Sequence, residues 1–239
     1  MKIEFSKSDI KRNVKIPKLN NVKLAEEIGI HIGDGSMNNY NHTYLFSLRG
    51  HRIDDEKYYR AYISSLYKKV YGIDVKIREW PDVLGFQIGS KAIVTFKNRI
   101  LGLPLGSKKK IQIPEFLMNS KKLVLNCLKG IFDTDGSLSF EKKSRTIPYY
   151  PRIILSTTSI KLKDQLFNIL HDLLEFNLSR WIEIPRNKNW SEIHRICIRG
   201  EKNIKKWFRL IGSNNPKNLF KYKYWKKYGY APVAQRWSN

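Results

Sequence analysis

A short motif occurs twice in this chain of 239 residues. The stretches IGIHIGDGS at 28–36 and LKGIFDTDGS at 128–137 are both largely apolar, contain small residues, and end in Asp-Gly-Ser. Their final aspartates, Asp34 and Asp135, are 101 residues apart. Because internal repeats mark repeated structural units, this spacing predicts a chain built from two similar half-domains.

The segments that follow the two motifs repeat as well. In each half an amphipathic helix lies between predicted strands, and a short helix closes the half. The strands with recognisable bounds cover 43–50, 74–79, 83–89, 151–158, 180–185 and 191–199. Ile93, Phe96 and Ile100 of the first closing helix recur 111 residues later as Ile204, Trp207 and Ile211. We therefore predict an α+β fold of two pseudo-symmetric αββαββα half-domains, each with a four-stranded antiparallel sheet.

Composition indicates where the two halves meet. Residues 104–119 contain two prolines and the run Lys108-Lys109-Lys110, which is typical of a linker. We predict half-domains at 1–103 and 120–239, joined by this segment. Near the end of the chain, residues 215–230 alternate lysines with aromatic residues, and we predict a final helix there.

The chain carries a large excess of positive charge. Lys and Arg number 45 against 21 Asp and Glu, a net charge of +24. Since such an excess opposes compaction, it predicts a polyanionic partner, and its spread over both halves predicts a folded binding surface. No apolar run is long enough to span a membrane, no signal peptide is recognisable, and Cys127 and Cys197 are too few for a disulfide framework. We therefore expect an intracellular protein without a membrane segment.

Small residues recur at four-residue spacing in both motifs, as Gly29 with Gly33 and Gly130 with Thr134. On a helix these positions share one face, so two such helices can approach closely and bring Asp34 and Asp135 side by side. Paired carboxylates repel, and Mg²⁺, which prefers oxygen ligands, relieves the repulsion. We take the two aspartates and the residues before them, Gly33 and Thr134, as candidate metal ligands. A single Asp-Gly is more often an ordinary turn at a helix end, but its duplication favours a site.

The second motif resembles the signature of the LAGLIDADG homing endonucleases. It agrees with that signature at Leu128, Gly130, Asp133, Asp135 and Gly136. The first motif agrees at Gly29, Asp34 and Gly35 and departs at Glu27, His31 and Ile32. Residues 215–229 also resemble the closing helix of these proteins, so the resemblance covers roughly 20–228. With two motifs in one chain, the sequence is similar to the single-chain members of the family.

The resemblance implies a function and a way of binding DNA. The two sheets would form a saddle in the major groove of double-stranded DNA at a long specific target site. Each active site would cut one strand with Mg²⁺ at Asp34 or Asp135, and the protein would be an intron-encoded monomer. Lys91 and Lys202 precede the closing helices, where the family often places a basic residue near the scissile phosphate. They are candidate catalytic residues, although ordinary solvated lysines fit the same positions.

Strand alternation identifies candidate DNA contacts. In the first half they are Ser47, Arg49, Lys76, Arg78 and Gln87; in the second they are Arg152, Arg195 and Arg199. Arg and Gln suit bidentate contacts with base edges. Candidates for contacts with the phosphate backbone are Lys142, Lys143, Arg186, Lys188 and the linker lysines Lys108, Lys109 and Lys110. Each residue alone fits a solvated sheet face equally well, and it is the set that favours a DNA-binding surface.

Two other functions are compatible with the sequence. The first is a cleavage-deficient nucleic-acid-binding protein of the same fold, such as an RNA-splicing maturase that binds an intron or a regulator. The second is an unrelated basic protein associated with RNA, which would not need a duplicated Asp-Gly-Ser. Because Asp34 and Asp135 are both present, the sequence favours an endonuclease.

Overall fold

The computed structural model describes residues 3–41, 43–142, 149–187 and 189–232. Its helices are α1 (Lys7–Lys11), α2 (Val22–Asp34), α3 (Ser64–Tyr71), α4 (Lys91–Thr95), α5 (Lys121–Asp135), α6 (Ile160–Asn168), α7 (Glu201–Leu210) and α8 (Pro216–Tyr228). Its strands are β1 (Gly35–Tyr40), β2 (Thr43–His51), β3 (Arg78–Glu79), β4 (Val83–Gly89), β5 (Gly136–Glu141), β6 (Tyr150–Thr157), β7 (Leu178–Glu183) and β8 (Ile193–Arg199). π-Helical turns precede α3 (Tyr58–Ile63) and follow α4 (Phe96–Ile100) and α6 (Ile169–Leu173).

The strands form two four-stranded antiparallel sheets, one in each half. Their orders are β1-β2-β4-β3 and β5-β6-β8-β7, so the second half repeats the topology of the first. The order along the chain is α2-β1-β2-α3-β3-β4-α4 in one half and α5-β5-β6-α6-β7-β8-α7 in the other. The predicted α+β fold of two αββαββα units is therefore confirmed.

Alternation along the strands determines which side of each sheet faces the core. Phe46 and Leu48 of β2 are fully buried, whereas Arg49 between Leu48 and Gly50 is exposed. In the second sheet Ile196 and Ile198 of β8 are buried in the same way. Each sheet thus packs its apolar side on the helices and turns a more polar side outward.

Some predicted element bounds were wrong. Only Arg78 and Glu79 of the predicted strand 74–79 pair with β4. The strand predicted at 180–185 begins earlier, at Leu178. The alternation pattern does not report these tertiary pairings.

The segment 104–119 is packed onto the second half. Ile111, Ile113 and Leu117 are buried, and the side-chain amide of Gln165 in α6 exchanges two hydrogen bonds with the backbone of Ile113, at 2.7 and 3.0 Å. The predicted final helix is α8, which Asn215 caps. Within the described ranges no helix combines the length and the apolar character that crossing a membrane requires.

Candidate active site and DNA-binding surface

The motif helices α2 and α5 cross with their backbones almost in contact. A methyl group on Gly29 would lie 2.0 Å from a carbonyl oxygen of α5, and one on Gly130 would lie 2.2 Å from a carbonyl oxygen of α2. These distances are too short for any residue larger than glycine without movement of the backbone. Asp34 and Asp135 are the last residues of the two helices, and their charges interact. The small-residue spacing therefore predicted the packing that brings the aspartates together.

Asp34 is held by a buried tyrosine. The Tyr59 hydroxyl, from the π-helical turn before α3, donates a hydrogen bond of 2.6 Å to Oδ2 of Asp34. Burial raises the pKa of Asp34 to about 8; the Tyr59 hydrogen bond opposes this rise, and the neighbouring charge of Asp135 adds to it. A carboxyl in this environment requires a proton or a cation for neutralisation.

Asp135 borders a cavity of about 420 Å³. Its side chain reaches solvent, yet protein atoms surround it in the concavity, and the loss of hydration raises its pKa. The positive charge of Lys108 opposes this rise. The cavity is also lined by Ile32, Gly33, Ile111, Ser156, Thr157, Thr158 and Ile193. It combines one carboxylate, one ammonium and the hydroxyls at the end of β6, a polar lining suited to a phosphate group.

Lys108 belongs to the site although the sequence placed it in a linker. Its ammonium donates hydrogen bonds to the backbone carbonyls of Ile32, at 3.1 Å, and Gly33. Burial lowers the pKa of Lys108, and the charges of Asp135 and Asp34 counteract the lowering. Three consecutive lysines occur at 108–110, and no local spacing indicates which of them turns inward.

The donors at the ends of α2 and α5 fit a hard divalent cation. Each helix ends in a carboxylate, and the Gly33 carbonyl oxygen accepts a hydrogen bond from the Lys108 ammonium. The Thr134 hydroxyl donates a hydrogen bond of 2.9 Å to the Gly130 carbonyl, which turns it toward its own helix, so we take the backbone oxygen of Thr134 as the candidate metal donor. In the described ranges no group of three or more His, Cys, Asp or Glu side chains could form a metal centre by itself. A site here would therefore complete its coordination with water and phosphate, as Mg²⁺ commonly does.

The first sheet presents most of the predicted DNA contacts on its outer side. Gly85 pairs with both Arg49 and Arg78, which therefore share a face, and the Arg49 guanidinium lies 4.8 Å from the Trp80 ring centroid. Gln87, two residues along β4 from Gly85, is exposed on the same side of the sheet. Lys76 is also exposed, in the segment before β3. Ser47 is the exception: it is buried and hydrogen-bonded to Ser36 at 2.7 Å, so it is not free to read a base.

The second sheet holds its arginines in ion pairs on the predicted face. Arg152 and Arg199 pair across β6 and β8, and both lie beside Glu141. Arg195 contacts Glu183 at 2.6 Å and the Ser156 hydroxyl at 2.9 Å. These ion pairs hold the guanidinium groups in fixed positions on the outer side of the sheet. The other candidates are Lys142 and Arg186, which are exposed, and Lys143 and Lys188, which lie outside the described residues.

The structure does not bring Lys91 or Lys202 to the aspartates. Lys91 forms an ion pair with Glu4 at 2.5 Å and lies over the Tyr44 ring. Gly35, which follows Asp34, lies level with Phe86 of β4, and Gly136, which follows Asp135, lies level with Ile196 of β8. Lys91 and Lys202 come after the last residues of β4 and β8, farther along the same strands. At about 3.3 Å per residue, that separation places them roughly 10 Å or more along the sheet.

Comparison with known proteins identifies the fold. Residues 122–212 match the family model of the LAGLIDADG-like domain. The structure of the homing endonuclease I-WcaI bound to its DNA recognition sequence is similar, with a TM-score of 0.57 and 19% identity over 90% of this chain and 92% of that one. A structure of mesophilic variants of the homing endonuclease I-DmoI gives a TM-score of 0.57 at 11% identity, over 80% of this chain and 95% of that one. The LAGLIDADG homing endonuclease I-GzeII in complex with its DNA target gives a TM-score of 0.52 at 12% identity, over 87% of this chain and 89% of that one. No curated protein sequence matches significantly.

The chain has the LAGLIDADG homing endonuclease fold. Its second half contains a LAGLIDADG-like domain, and the resemblance predicted from the two motifs is confirmed. Both copies of the repeated motif lie on the packed helices α2 and α5 and end in the two aspartates.

The two copies of the repeated motif differ two residues before the terminal aspartate. Burial raises the pKa of Asp133 in the second motif to about 7, while its hydrogen bonds with Ser213 and with the N–H of Asn214, the latter 2.7 Å long, oppose the rise. Ile32 occupies the equivalent position in the first motif and is buried. Asp133 thus anchors the segment before α8 and has a structural role. Asn214 continues this contact to the first half by donating a 2.7 Å hydrogen bond to Tyr62.

Proposed function

We propose that this protein is a site-specific endonuclease that hydrolyses both strands of a DNA duplex with the aid of a divalent cation. The observation that carries the proposal is the meeting of Asp34 and Asp135 at the ends of two glycine-packed helices, between two sheets with cationic outer faces. Structures of similar fold include I-DmoI in complex with DNA and Mn, and with DNA and Ca. These relatives support a double-stranded DNA partner and a divalent metal, for which we propose Mg²⁺.

Each residue at the site has its own proposed chemical role. Asp34 and Asp135 would hold the cation, with the carbonyls of Gly33 and Thr134 beside them. When bound, the cation supplies Lewis-acid activation of water and stabilisation of the leaving oxygen. Tyr59 orients the Asp34 carboxylate through its hydrogen bond. Lys108 supplies a fixed positive charge beside Asp135, where it would stabilise charge that develops on a scissile phosphate.

The sheet faces would supply DNA specificity. Arg49, Arg78 and Gln87 share one side of the first sheet, and Arg195 and Arg199 share the matching side of the second. Arginine and glutamine can make bidentate contacts with guanine and adenine edges in the major groove. Since both motifs belong to one chain, we propose that a monomer carries both sites, acting on intracellular DNA.

The decisive experiment is a cleavage selection. The purified protein is incubated with Mg²⁺ and a randomised double-stranded DNA library, the cut ends are sequenced, and a parallel reaction contains Ca²⁺. We expect recurrent metal-dependent ends that share one long motif. The variants Asp34→Asn and Asp135→Asn should each abolish double-strand cleavage and largely preserve DNA binding. Asp74→Asn, which alters an exposed carboxylate paired with Lys68, is the matched control and should cut normally.

The selection also distinguishes the alternatives. Full double-strand cleavage by Asp34→Asn or Asp135→Asn would contradict the paired site. Tight, salt-sensitive binding without enriched ends would instead favour a cleavage-deficient binding protein, and binding to intron RNA would then be the next measurement.

A further inference from the structure

A second basic surface lies on the helical side of the second half. An open groove of about 640 Å³ lies between the helices α7 and α8. Its cationic lining consists of Lys202, Lys205, Lys206, Arg209 and Lys226. Five positive side chains around one groove form a strong attraction for a polyanion. We call this surface the α7–α8 groove.

The α7–α8 groove faces away from the proposed DNA-binding side of the sheet. α7 buries Ile204 and Trp207 against the apolar side of β6 and β8, the side that also carries Ile196. Arg195 and Arg199 project from the opposite side of β8. A helix is about 10 Å across with its side chains, so the sheet and α7 together separate the two surfaces by more than that distance. A duplex seated on the sheet would therefore leave the groove open.

Several charges in the α7–α8 groove lack a counter-charge. Lys205 pairs with Glu201 at 2.5 Å, and Lys206 donates a hydrogen bond to the Glu175 carbonyl at 3.0 Å. Within the described part of the chain, Arg209 and Lys226 form no hydrogen bond or ion pair. These two cations are available to external phosphates at no cost in internal contacts.

The groove also contains aromatic surface. The rings of Phe208 and Tyr222 stack with centroids 3.8 Å apart and an interplanar angle of 6°, and both residues line the groove. Cationic side chains that follow a backbone, combined with aromatic rings that contact unstacked bases, are the features by which proteins bind single strands. A duplex hides its base faces in its own stack and could use only the charges.

We propose that the α7–α8 groove is a second nucleic-acid site and that it binds single-stranded nucleic acid. Lys202, Arg209 and Lys226 contact the phosphates, and the Phe208–Tyr222 pair contacts the bases. The site is separate from the sheet surface, so the protein binds a single strand and a DNA duplex at the same time.

The test measures binding of a labelled single strand to the full chain. Oligonucleotides of about 12 nucleotides, one of RNA and one of DNA, are titrated by fluorescence anisotropy with and without saturating unlabelled duplex. We expect binding that persists when the duplex is present. The variant Arg209→Gln with Lys226→Gln should weaken single-strand binding about tenfold and lower the salt slope by roughly 1.4, since each phosphate contact to a single strand contributes about 0.7. Its duplex binding should be unchanged.

The control removes the same charge elsewhere. Lys121→Gln with Lys122→Gln alters two exposed lysines at the start of α5 and should bind the single strand like the parent protein. Complete displacement of the strand by duplex, equal binding by the groove variant, or no single-strand binding would each overturn the proposal. The relative affinity for the RNA and DNA oligonucleotides identifies the natural strand. None of these readouts requires cleavage, so they stand apart from the endonuclease proposal.

Discussion

Replacing Gly130 with alanine tests the helix crossing that forms the site. The added methyl group would lie 2.2 Å from the Glu26 carbonyl oxygen and 2.7 Å from the Ile30 nitrogen. Both are backbone atoms of α2, which cannot rotate away as a side chain could. The two helices would therefore have to separate by about 1 Å to restore ordinary contact distances of about 3.5 Å.

The expected effect on stability has the opposite sign from that in a free helix. In an isolated helix, changing glycine to alanine stabilises by about 1 kcal/mol. Here overpacking at a backbone contact costs roughly 3 kcal/mol. We expect a net loss of about 2 kcal/mol in the free energy of unfolding, or roughly 4–8 °C in Tm for a chain of this size.

The effect on cleavage should exceed the effect on folding. Asp34 and Asp135 end the two helices that Gly130 would push apart, and a displacement of about 1 Å at a catalytic site can cost about 100-fold in rate. Circular dichroism measures the Tm of the variant. The cleavage rate is measured on the DNA target found by the selection, at a temperature below that Tm. Lys122→Ala, at an exposed position of the same helix, is the control and should change stability by less than about 0.5 kcal/mol. A Gly130→Ala protein as stable and as active as the parent would refute the close-packing argument.

Three further predictions concern buried polar groups. Tyr59→Phe removes the 2.6 Å hydrogen bond to Asp34. A cleavage time course on a DNA target labelled on both strands should therefore show slower cutting of one strand and accumulation of nicked product. Equal slowing of both strands would argue against an effect local to Asp34. Lys97→Met leaves the fully buried Glu27 without the ammonium at 2.6 and 2.7 Å, and urea denaturation should show a loss of about 3–5 kcal/mol, partly recovered by adding Glu27→Leu. Because burial raises the pKa of Asp34 to about 8, well above its unfolded value near 4, the folded chain binds a proton there that the unfolded chain does not. The free energy of unfolding in chelator should therefore fall as the pH rises from about 4 to 8, and a fall of the same size in Asp34→Asn would exclude this carboxyl as its source.

Local sequence patterns predicted the fold and the paired aspartates at the centre of the candidate site. The four-residue spacing of Gly29 with Gly33 and the terminal Asp34 recur in α5, and those features alone predicted two helices that meet at paired carboxylates. Alternation along β8 likewise assigned Arg195 and Arg199 to the outer face. Such patterns succeed because helix and strand periods fix the direction of each side chain relative to its neighbours.

Spacing did not predict which lysine completes the site. Lys91 and Lys202 are 111 residues apart, which reflects the internal repeat but not the end of the sheet on which each lysine lies. Their places at the far ends of β4 and β8 follow from strand direction and register. Lys108 reaches the Gly33 carbonyl only because segment 104–119 folds back over the second half.

By itself, the sequence determined the two-fold repeat, the α+β elements, the paired aspartates and the excess of positive charge. Only the tertiary structure decided that Tyr59 holds Asp34, that Lys108 lies beside Asp135 and that cations of α7 and α8 share a groove. Periodicity is a property of neighbouring residues, whereas the Tyr59–Asp34 and Lys108–Gly33 contacts join positions 25 and 75 residues apart. Such contacts depend on how whole helices and strands pack together, and that packing depends on how side chains from distant parts of the chain fit together in the interior.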